Sequence, residues 1–421
     1  MMKYAMFLYI DPATGGMLFT IIFGLISAGI YFLRTVFLKI KYSLYLGNNK
    51  KTTEKLPIVI FSDHKRYWNV FEPICNELES RKQKAYYYTM SEDDPALRKK
   101  YNYIECDYIG SGNKAFSKMN MLMACVVVST TPSLDVFQWR RSKDVDYYIH
   151  VPHTASDLTM YKMFGLDYYD AVLLSGEYQI KQLKKLELIR KMPQKDMCLT
   201  GIPYMDDMLN RVHDYSNGLK TEKDDCVTVL LAPSWGTNGI LYKYGERLID
   251  ALVDTGYNII IRPHPQSYNS EKEMLDALIK KYNDKISWNN DNDNFEVLCK
   301  ADVLISDFSG VLFDFSLVFD KTVIYTSPQY DKSQYDCVWL DDELWTFEIL
   351  PKLGVELKEQ DFSNIKSVID DCMANPTFSE GRKQAREETW YDIGNGAKNM
   401  TNYIVKKYNS LAKVNEEKQD E

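Results

Sequence analysis

The sequence predicts an α/β protein with two Rossmann-like domains, preceded by an N-terminal membrane helix. Short apolar segments alternate with amphipathic helical stretches, a polar stretch divides this pattern into two series, and a long apolar run lies near the start of the chain. Segments such as VTVLLA and ADVLIS are apolar at consecutive positions, as expected of parallel strands buried on both faces. We therefore expect two doubly wound domains facing a cleft.

The apolar run covers residues 17–38, and Arg34 is its only charged residue. As a helix it would reach about 33 Å, enough to span a bilayer. A single span, an interfacial helix or hairpin, and a buried helix of the soluble part all stay open. A cleaved signal peptide is disfavoured, because the basic residues follow the run instead of preceding it. The same asymmetry predicts a cell-membrane protein whose domains after the run are cytoplasmic.

The alternation after this run defines the domain organisation. Candidate strands of the first series are residues 58–61, 85–89, 126–129, 147–151, 171–175 and 198–200, and those of the second are 227–232, 259–262, 303–306 and 323–326. The predicted divisions are an anchor at 1–46, a linker at 47–56, a first domain at 57–213, a linker at 214–225, a second domain at 226–375, C-terminal helices at 376–412 and a disordered tail at 413–421.

The composition excludes several functional classes. A length of 421 residues fits two to three domains of about 150 residues each. The net charge of −8 gives no long-range attraction for nucleic acid, so we expect no nucleic-acid partner. The eight Cys are scattered, without a CxxC or Cys/His cluster, and this spacing argues against a zinc site and indicates reduced packing residues. No carboxylate cluster suggests a metal, and no cofactor is expected.

Two of the five histidines follow predicted strands, where ligands bind in open parallel sheets. His153 follows the strand at 147–151, and His264 lies between two prolines after the strand at 259–262. A near-neutral imidazole can take a proton from a hydroxyl or donate to a phosphate oxygen. Each could instead be a loop histidine bonded to backbone, and His150, inside its strand, could simply be buried.

The segment ADVLISDFSGVLFDF contains a strand that ends at Ser306 and Asp307, with Ser309 and Gly310 opening a helix. Small hydroxyl residues and glycine there allow an anionic ligand to approach free N–H groups. Asp307 or Ser309 could also merely cap the helix. Ser234, in LAPSWG, likewise lies in a turn that ends a strand.

The best local basic patch is QWRRSK, with Arg140, Arg141 and Lys143. It could hold a phosphate-bearing acceptor, and a solvated surface run is at least as good an interpretation.

Several stretches together resemble the CDP-glycerol glycerophosphotransferase family, which comprises teichoic acid primases and polymerases. They occur in the family's order over roughly residues 120–330: RRSKDVDYYIHVPHT, LDYYDAVLLSGEYQ, TGIPYMD, LLAPSWG, IRPHP and ADVLISDFSGVLFDF. IRPHP and the last stretch are specific as a pair.

The resemblance implies a glycosyltransferase-B-like fold and a bacterial cell-wall enzyme. It would move an alditol phosphate, glycerol phosphate foremost, from a CDP-alditol to a hydroxyl of a lipid-linked or polymeric acceptor, releasing CMP. By matching motif, His153 would be the base that deprotonates the acceptor hydroxyl, and His264 would contact the diphosphate. The resemblance assigns the nucleotide and phosphate pocket to the second domain, with Ser306, Asp307 and Ser309, and Arg262 as electrostatic support.

The chain departs from the family's pattern at three places. Many members have His-Gly where this chain has His153-Thr154, a second Ser where it has Gly310, and a basic residue where it has Gly236. Two alternatives therefore stay open: a nucleotide-sugar glycosyltransferase of the same fold, and a catalytically silent envelope-assembly scaffold. The choice between glycerol and ribitol, and between primase and polymerase, is also open, as is the oligomeric state.

Overall fold

A computed structural model describes residues 20–34, 36, 55–218, 226–291, 293–326 and 331–417. The chain divides into two compact units, residues 1–55 and residues 56–421. In the first unit residues 20–34 form helix α1, and most of its apolar side chains are exposed, among them Phe23 at 63% and Leu25 at 68%. Within the described ranges, no helix combines the length and the apolar character needed to cross a membrane. The other residues of the predicted anchor lie outside those ranges.

The second unit begins with a sheet of seven parallel strands in the order β3-β2-β1-β4-β5-β6-β7. The strands are β1 (Leu56–Ser62), β2 (Ala85–Thr89), β3 (Ile104–Tyr108), β4 (Ala124–Ser129), β5 (Val145–His150), β6 (Ala171–Leu174) and β7 (Asp196–Leu199). Every residue of β4 is buried, because β4 is central and helices cover both faces of the sheet.

A sheet of six parallel strands follows, in the order β10-β9-β8-β11-β12-β13. The strands are β8 (Thr228–Leu231), β9 (Asn258–Ile261), β10 (Ser287–Trp288), β11 (Val303–Ser306), β12 (Val323–Tyr325) and β13 (Gly354–Glu356). All ten predicted strands overlap observed ones. The predicted strands do not include β3, β10 and β13, because none of the three has a continuous apolar run. Strand β3 is mostly exposed, β10 has only two residues, and β13 begins with a glycine.

The helices provide the crossover connections that parallel neighbouring strands need. They are α2 (Trp68–Ser80), α3 (Asn113–Met119), α4 (Glu177–Arg190), α5 (Pro203–Gly218), α6 (Ile240–Val253), α7 (Ser267–Ser270), α8 (Lys272–Tyr282), α9 (Phe295–Lys300), α10 (Val311–Phe313), α11 (Trp345–Leu353), α12 (Ile365–Ala374), α13 (Phe378–Thr389) and α14 (Gly396–Glu417). Helix α5 extends into the predicted linker at 214–225, and α14 extends into the predicted tail at 413–421. The domain boundaries themselves stay a prediction.

Buried polar contacts join the loop after β5 to the first turn of α11 and to a segment that precedes this helix. The Asp157 carboxylate accepts hydrogen bonds from the backbone N–H groups of Trp345 and Thr346, at 3.1 and 2.7 Å. Arg190 pairs with Asp167 at 2.8 Å and with Asp336 at 2.5 Å, and these three side chains are at most 9% exposed. The loop that carries His153 is therefore held against residues of the second sheet's half of the unit.

Candidate active site

The loops that leave the carboxyl ends of the two sheets meet each other. Thr154 follows β5 in the first sheet, and Gly310 follows β11 in the second. A Cβ atom built on Gly310 would lie closer than 3.0 Å to Thr154 Oγ1 and 3.2 Å from Thr154 Cβ. Because ligands of open parallel sheets bind beyond the carboxyl ends of strands, this meeting point defines the candidate active site.

His153 is held on one side by two hydroxyl groups. Its Nδ1 lies 2.9 Å from Thr130 Oγ1, just after β4, and 3.3 Å from Tyr161 Oη. The ring packs on Tyr67, with centroids 4.9 Å apart, and on Tyr161 at 5.8 Å. Burial first, and the charge of Arg66 second, lower the pKa of His153 to about 4. The imidazole is therefore neutral at physiological pH and able to act as a base.

His150, the last residue of β5, is connected to His153 through Tyr161. The Tyr161 hydroxyl lies 3.3 Å from His150 Nε2 as well as 3.3 Å from His153 Nδ1. Burial, followed by the neighbouring His153, holds the pKa of His150 well below its usual range. A neutral His150 can accept a hydrogen bond from the Tyr161 hydroxyl, which leaves the phenolic oxygen free to accept a hydrogen bond from His153 Nδ1–H. The sequence analysis treated His150 only as a buried residue and did not consider Tyr161.

His264 begins the corresponding loop after β9. Its Nδ1 accepts a hydrogen bond from the Gln266 backbone N–H at 3.1 Å, so the neutral ring carries its proton on Nε2. Burial first, and the charge of Arg66 second, lower the pKa of His264 to about 4. The Trp235 ring lies 6.4 Å from the imidazole. His264 is thus a neutral hydrogen-bond donor at Nε2. The two hydroxyl partners of His153 Nδ1 are compatible with either tautomer, and the tautomer with Nδ1–H presents Nε2 as an acceptor.

Asp307 and Ser306 connect the turn after β8 to β11. The Asp307 carboxylate accepts hydrogen bonds from the backbone N–H groups of Ser234, Ile240 and Phe308, at 3.0, 2.9 and 2.8 Å. Ser306 Oγ donates to the Ala232 carbonyl at 2.5 Å. Both side chains are fully buried. They position the Ser234 turn next to the site, and direct contact with a nucleotide stays a prediction for both.

Ser309 and Gly310 lie at the meeting point of the two sheets, where both are partly buried. Two of the three family departures face each other there: the Thr154 side chain takes the space that a side chain at position 310 would need. Gly310 has ordinary helical dihedrals, φ −55° and ψ −23°, so space alone restricts this position. The third departure, Gly236, has φ +87°, a conformation that favours glycine.

The remaining candidates are Arg262 and the basic patch. Arg262 donates to Asn289 and to the Asp291 carbonyl beside a cavity of about 190 Å³ that Pro263 and Pro265 also line, so it flanks His264. The residues of the basic patch (Arg140, Arg141 and Lys143) precede β5, whereas His153 follows it. Their part in acceptor binding stays a prediction.

The charges of the basic patch are also partly neutralised. Arg141 forms an ion pair with Asp170 at 2.9 Å and lies over the Tyr148 ring, and Arg140 donates to the Asp135 carbonyl at 2.6 Å. These contacts explain the positions of both guanidinium groups without a ligand.

Sequence reasoning missed three groups around His153, namely Arg66, Thr130 and Tyr161. Each lies at or beyond the carboxyl end of a strand of the first sheet, which is the one signal that marks it. No motif distinguishes these residues from the many other Arg, Thr and Tyr residues of the chain.

Comparisons with known proteins give a family and a fold. The family profile described as CDP-Glycerol:Poly(glycerophosphate) glycerophosphotransferase matches residues 44–406. No curated protein sequence matches the chain.

Among solved structures, the wall teichoic acid polymerase TagF, in a variant soaked with CDPG, is 16% identical with a TM-score of 0.56 over 91% of this chain and 97% of that one. The UDP-GlcNAc 2-epimerase of Methanocaldococcus jannaschii is 12% identical with a TM-score of 0.55, covering 83% of this chain and 99% of that one. The epimerase of Neisseria meningitidis has the same TM-score and coverage at 11% identity. At these identities the likeness concerns the fold alone.

Proposed function

Because the chain belongs to the CDP-glycerol:poly(glycerophosphate) glycerophosphotransferase family, we propose that it transfers glycerol phosphate from CDP-glycerol to a hydroxyl of a lipid-linked or polymeric envelope acceptor. The observation that carries the assignment to this cleft is its pair of neutral histidines. In the tautomer whose Nδ1–H donates to Thr130, His153 offers an acceptor nitrogen from the first sheet, and His264 offers a donor nitrogen from the second. A base for the attacking hydroxyl and a donor to the developing negative charge each accelerate a phosphoryl transfer.

In the proposed reaction His153 Nε2 takes the proton of the acceptor hydroxyl, while Nδ1–H donates to Thr130 or Tyr161. The hydroxyl oxygen then forms a bond to the phosphorus that carries glycerol. The bond between that phosphorus and the oxygen bridging to the CMP phosphate breaks, and CMP leaves with the bonding electron pair. His264 Nε2–H donates to a diphosphate oxygen and stabilises the charge that develops on CMP.

We further propose that the protein works at the cell membrane, with its catalytic part on the cytoplasmic side. The exposed apolar side chains of α1 support this, since isolated apolar helical surfaces of this kind associate with lipid. Attachment to a membrane would raise the effective concentration of a lipid-linked acceptor. Protease added to sealed inside-out vesicles should degrade residues 56–421, and protection of that segment would refute this topology.

The function is tested with the full chain in detergent. Calorimetry compares CDP-glycerol, CDP-ribitol, UDP-glucose and CMP, and a second assay follows CMP release with a poly(glycerol phosphate) acceptor. We expect CDP-glycerol to bind preferentially, and His153→Ala and His264→Ala to lose roughly a hundredfold or more in turnover. His213→Ala is the control, because that histidine is exposed on α5. Full turnover in both cleft variants, or binding of UDP-glucose alone, would refute the proposal.

A further inference from the structure

Arg66 is a cation of the candidate site that the reaction described above does not use. It lies in a single helical turn, Lys65–Tyr67, that follows β1 at the carboxyl end of the first sheet. Its backbone N–H donates to His64 Nδ1 at 3.2 Å, which fixes the turn. The neighbouring Lys65 behaves differently, because its ammonium group pairs with Asp93.

The Arg66 side chain packs on the same tyrosine ring as the proposed base. Its guanidinium carbon lies 4.8 Å from the centroid of the Tyr67 ring, and that ring lies 4.9 Å from the ring of His153. Arg66 Nε is buried and has no hydrogen-bond partner among the described residues. Within the same residues the guanidinium forms no ion pair. A buried donor without a partner is costly, so this arrangement favours an anion that the protein itself does not supply.

The charge of Arg66 reaches both sides of the cleft. It contributes, after burial, to the lowered pKa of His153 beside the first sheet and of His264 beside the second. The groups next to it along the chain that interact with it are Asp63, His64 and Tyr67. Burial raises the pKa of Asp63, the one carboxyl group in this set, the charge of Arg66 opposes that rise, and the two side chains form no ion pair. Arg66 is therefore a positive charge that acts on both neutral histidines.

We propose that Arg66 binds the phosphoryl group that is transferred and stabilises the negative charge that spreads over its oxygens in the transition state. This inference rests on the proposed function. A guanidinium group suits the role, because its planar fork binds two phosphate oxygens at once and it stays protonated at every working pH. In phosphoryl transfer, positioning and charge stabilisation of this kind provide most of the rate enhancement. Arg66 makes and breaks no bond.

The test compares Arg66→Gln, Arg66→Lys and the control Lys65→Gln in the full chain. For Arg66→Gln we expect kcat to fall by roughly 10²–10³-fold, with a smaller loss of CDP-glycerol affinity, because the contact strengthens in the transition state. Arg66→Lys keeps the charge without the fork and should recover part of the loss. Lys65→Gln should be unchanged. In Arg66→Gln the acidic limb of the kcat/KM profile should move to higher pH, because both histidines lose a neighbouring positive charge.

A kcat for Arg66→Gln within threefold of the wild type, in a variant with an unchanged thermal midpoint, would overturn the inference. If Arg66→Gln does not fold, Arg66→Lys decides: wild-type kcat and pH profile there would overturn it, because the fork would be dispensable. Binding of inorganic pyrophosphate separates the two proposals. In one outcome the wild type binds pyrophosphate, Arg66→Gln does not, and the wild type never turns over CDP-glycerol. That outcome would support the anion site and refute the proposed function. Turnover that is insensitive to Arg66 would refute only the anion site.

Discussion

The contact between Thr154 and Gly310 predicts that a side chain is tolerated at one of the two positions but not at both. In Gly310→Ser the new Cβ collides with Thr154 Oγ1 and lies 3.2 Å from Thr154 Cβ. Turning the Thr154 hydroxyl away would break its 3.4 Å contact with Ser156 Oγ, and it would still leave the two Cβ atoms too close. Overpacking of this kind costs about 1–3 kcal/mol.

A double-mutant cycle measures this cost. In the Thr154→Gly background both colliding atoms are absent, so Gly310→Ser should cost close to nothing there. The coupling free energy between the two positions should then be about 1–3 kcal/mol. Thr154→Val is the matched control: it removes the hydroxyl function, keeps the bulk, and should leave Gly310→Ser destabilising.

The assay is urea unfolding of the full chain in detergent, followed by tryptophan fluorescence, with the change in the free energy of unfolding taken from midpoint and slope. Equal costs of Gly310→Ser in the wild-type and Thr154→Gly backgrounds would refute the reasoning, because the two positions would then be independent. A confirmed coupling would explain two departures from the family pattern as one exchange, in which the side chain moved from one sheet's loop to the other's.

Three further predictions follow from the described contacts. Tyr161→Phe removes the hydroxyl shared by His150 and His153, and should lower kcat by roughly tenfold or less at unchanged KM; a rise in KM alone would contradict a positioning role. Burial lowers the pKa of His153 and His264 to about 4, so kcat/KM should stay constant down to near pH 5. The free energy of unfolding should decline as the pH falls from about 6.5 to 4, because the folded chain binds fewer protons than the unfolded chain in that range. A kcat/KM that falls to half its value near pH 6.5 would contradict this. Asp336→Ala removes one partner of the buried Arg190 and should lower the free energy of unfolding in urea by about 3–5 kcal/mol. The control Lys185→Ala breaks the more exposed ion pair with Asp342 and should cost at most about 1 kcal/mol. Similar costs for the two variants would contradict the prediction.

Local patterns were sufficient for the positions of most strands and for the two histidines. A strand buried on both faces needs consecutive apolar residues, as in β4 and β11, and the residue that follows such a strand in a parallel sheet lies at the ligand-binding edge. His153 and His264 could be selected on that ground alone. The roles predicted for Ser306 and Asp307 came from the same reasoning, but the structure directs their side chains to the backbone of the neighbouring turn.

The sequence by itself determined the α/β class, the two series of parallel strands and the family, because these depend on local apolar periodicity and on short motifs. Only the tertiary structure decided which loops meet. Thr154 and Gly310 are far apart along the chain and touch because the carboxyl ends of β5 and β11 face one another. The placement of Arg66 near both histidines has the same origin. Contacts between distant residues depend on how two complete sheets pack together, and no local pattern of residues encodes that packing.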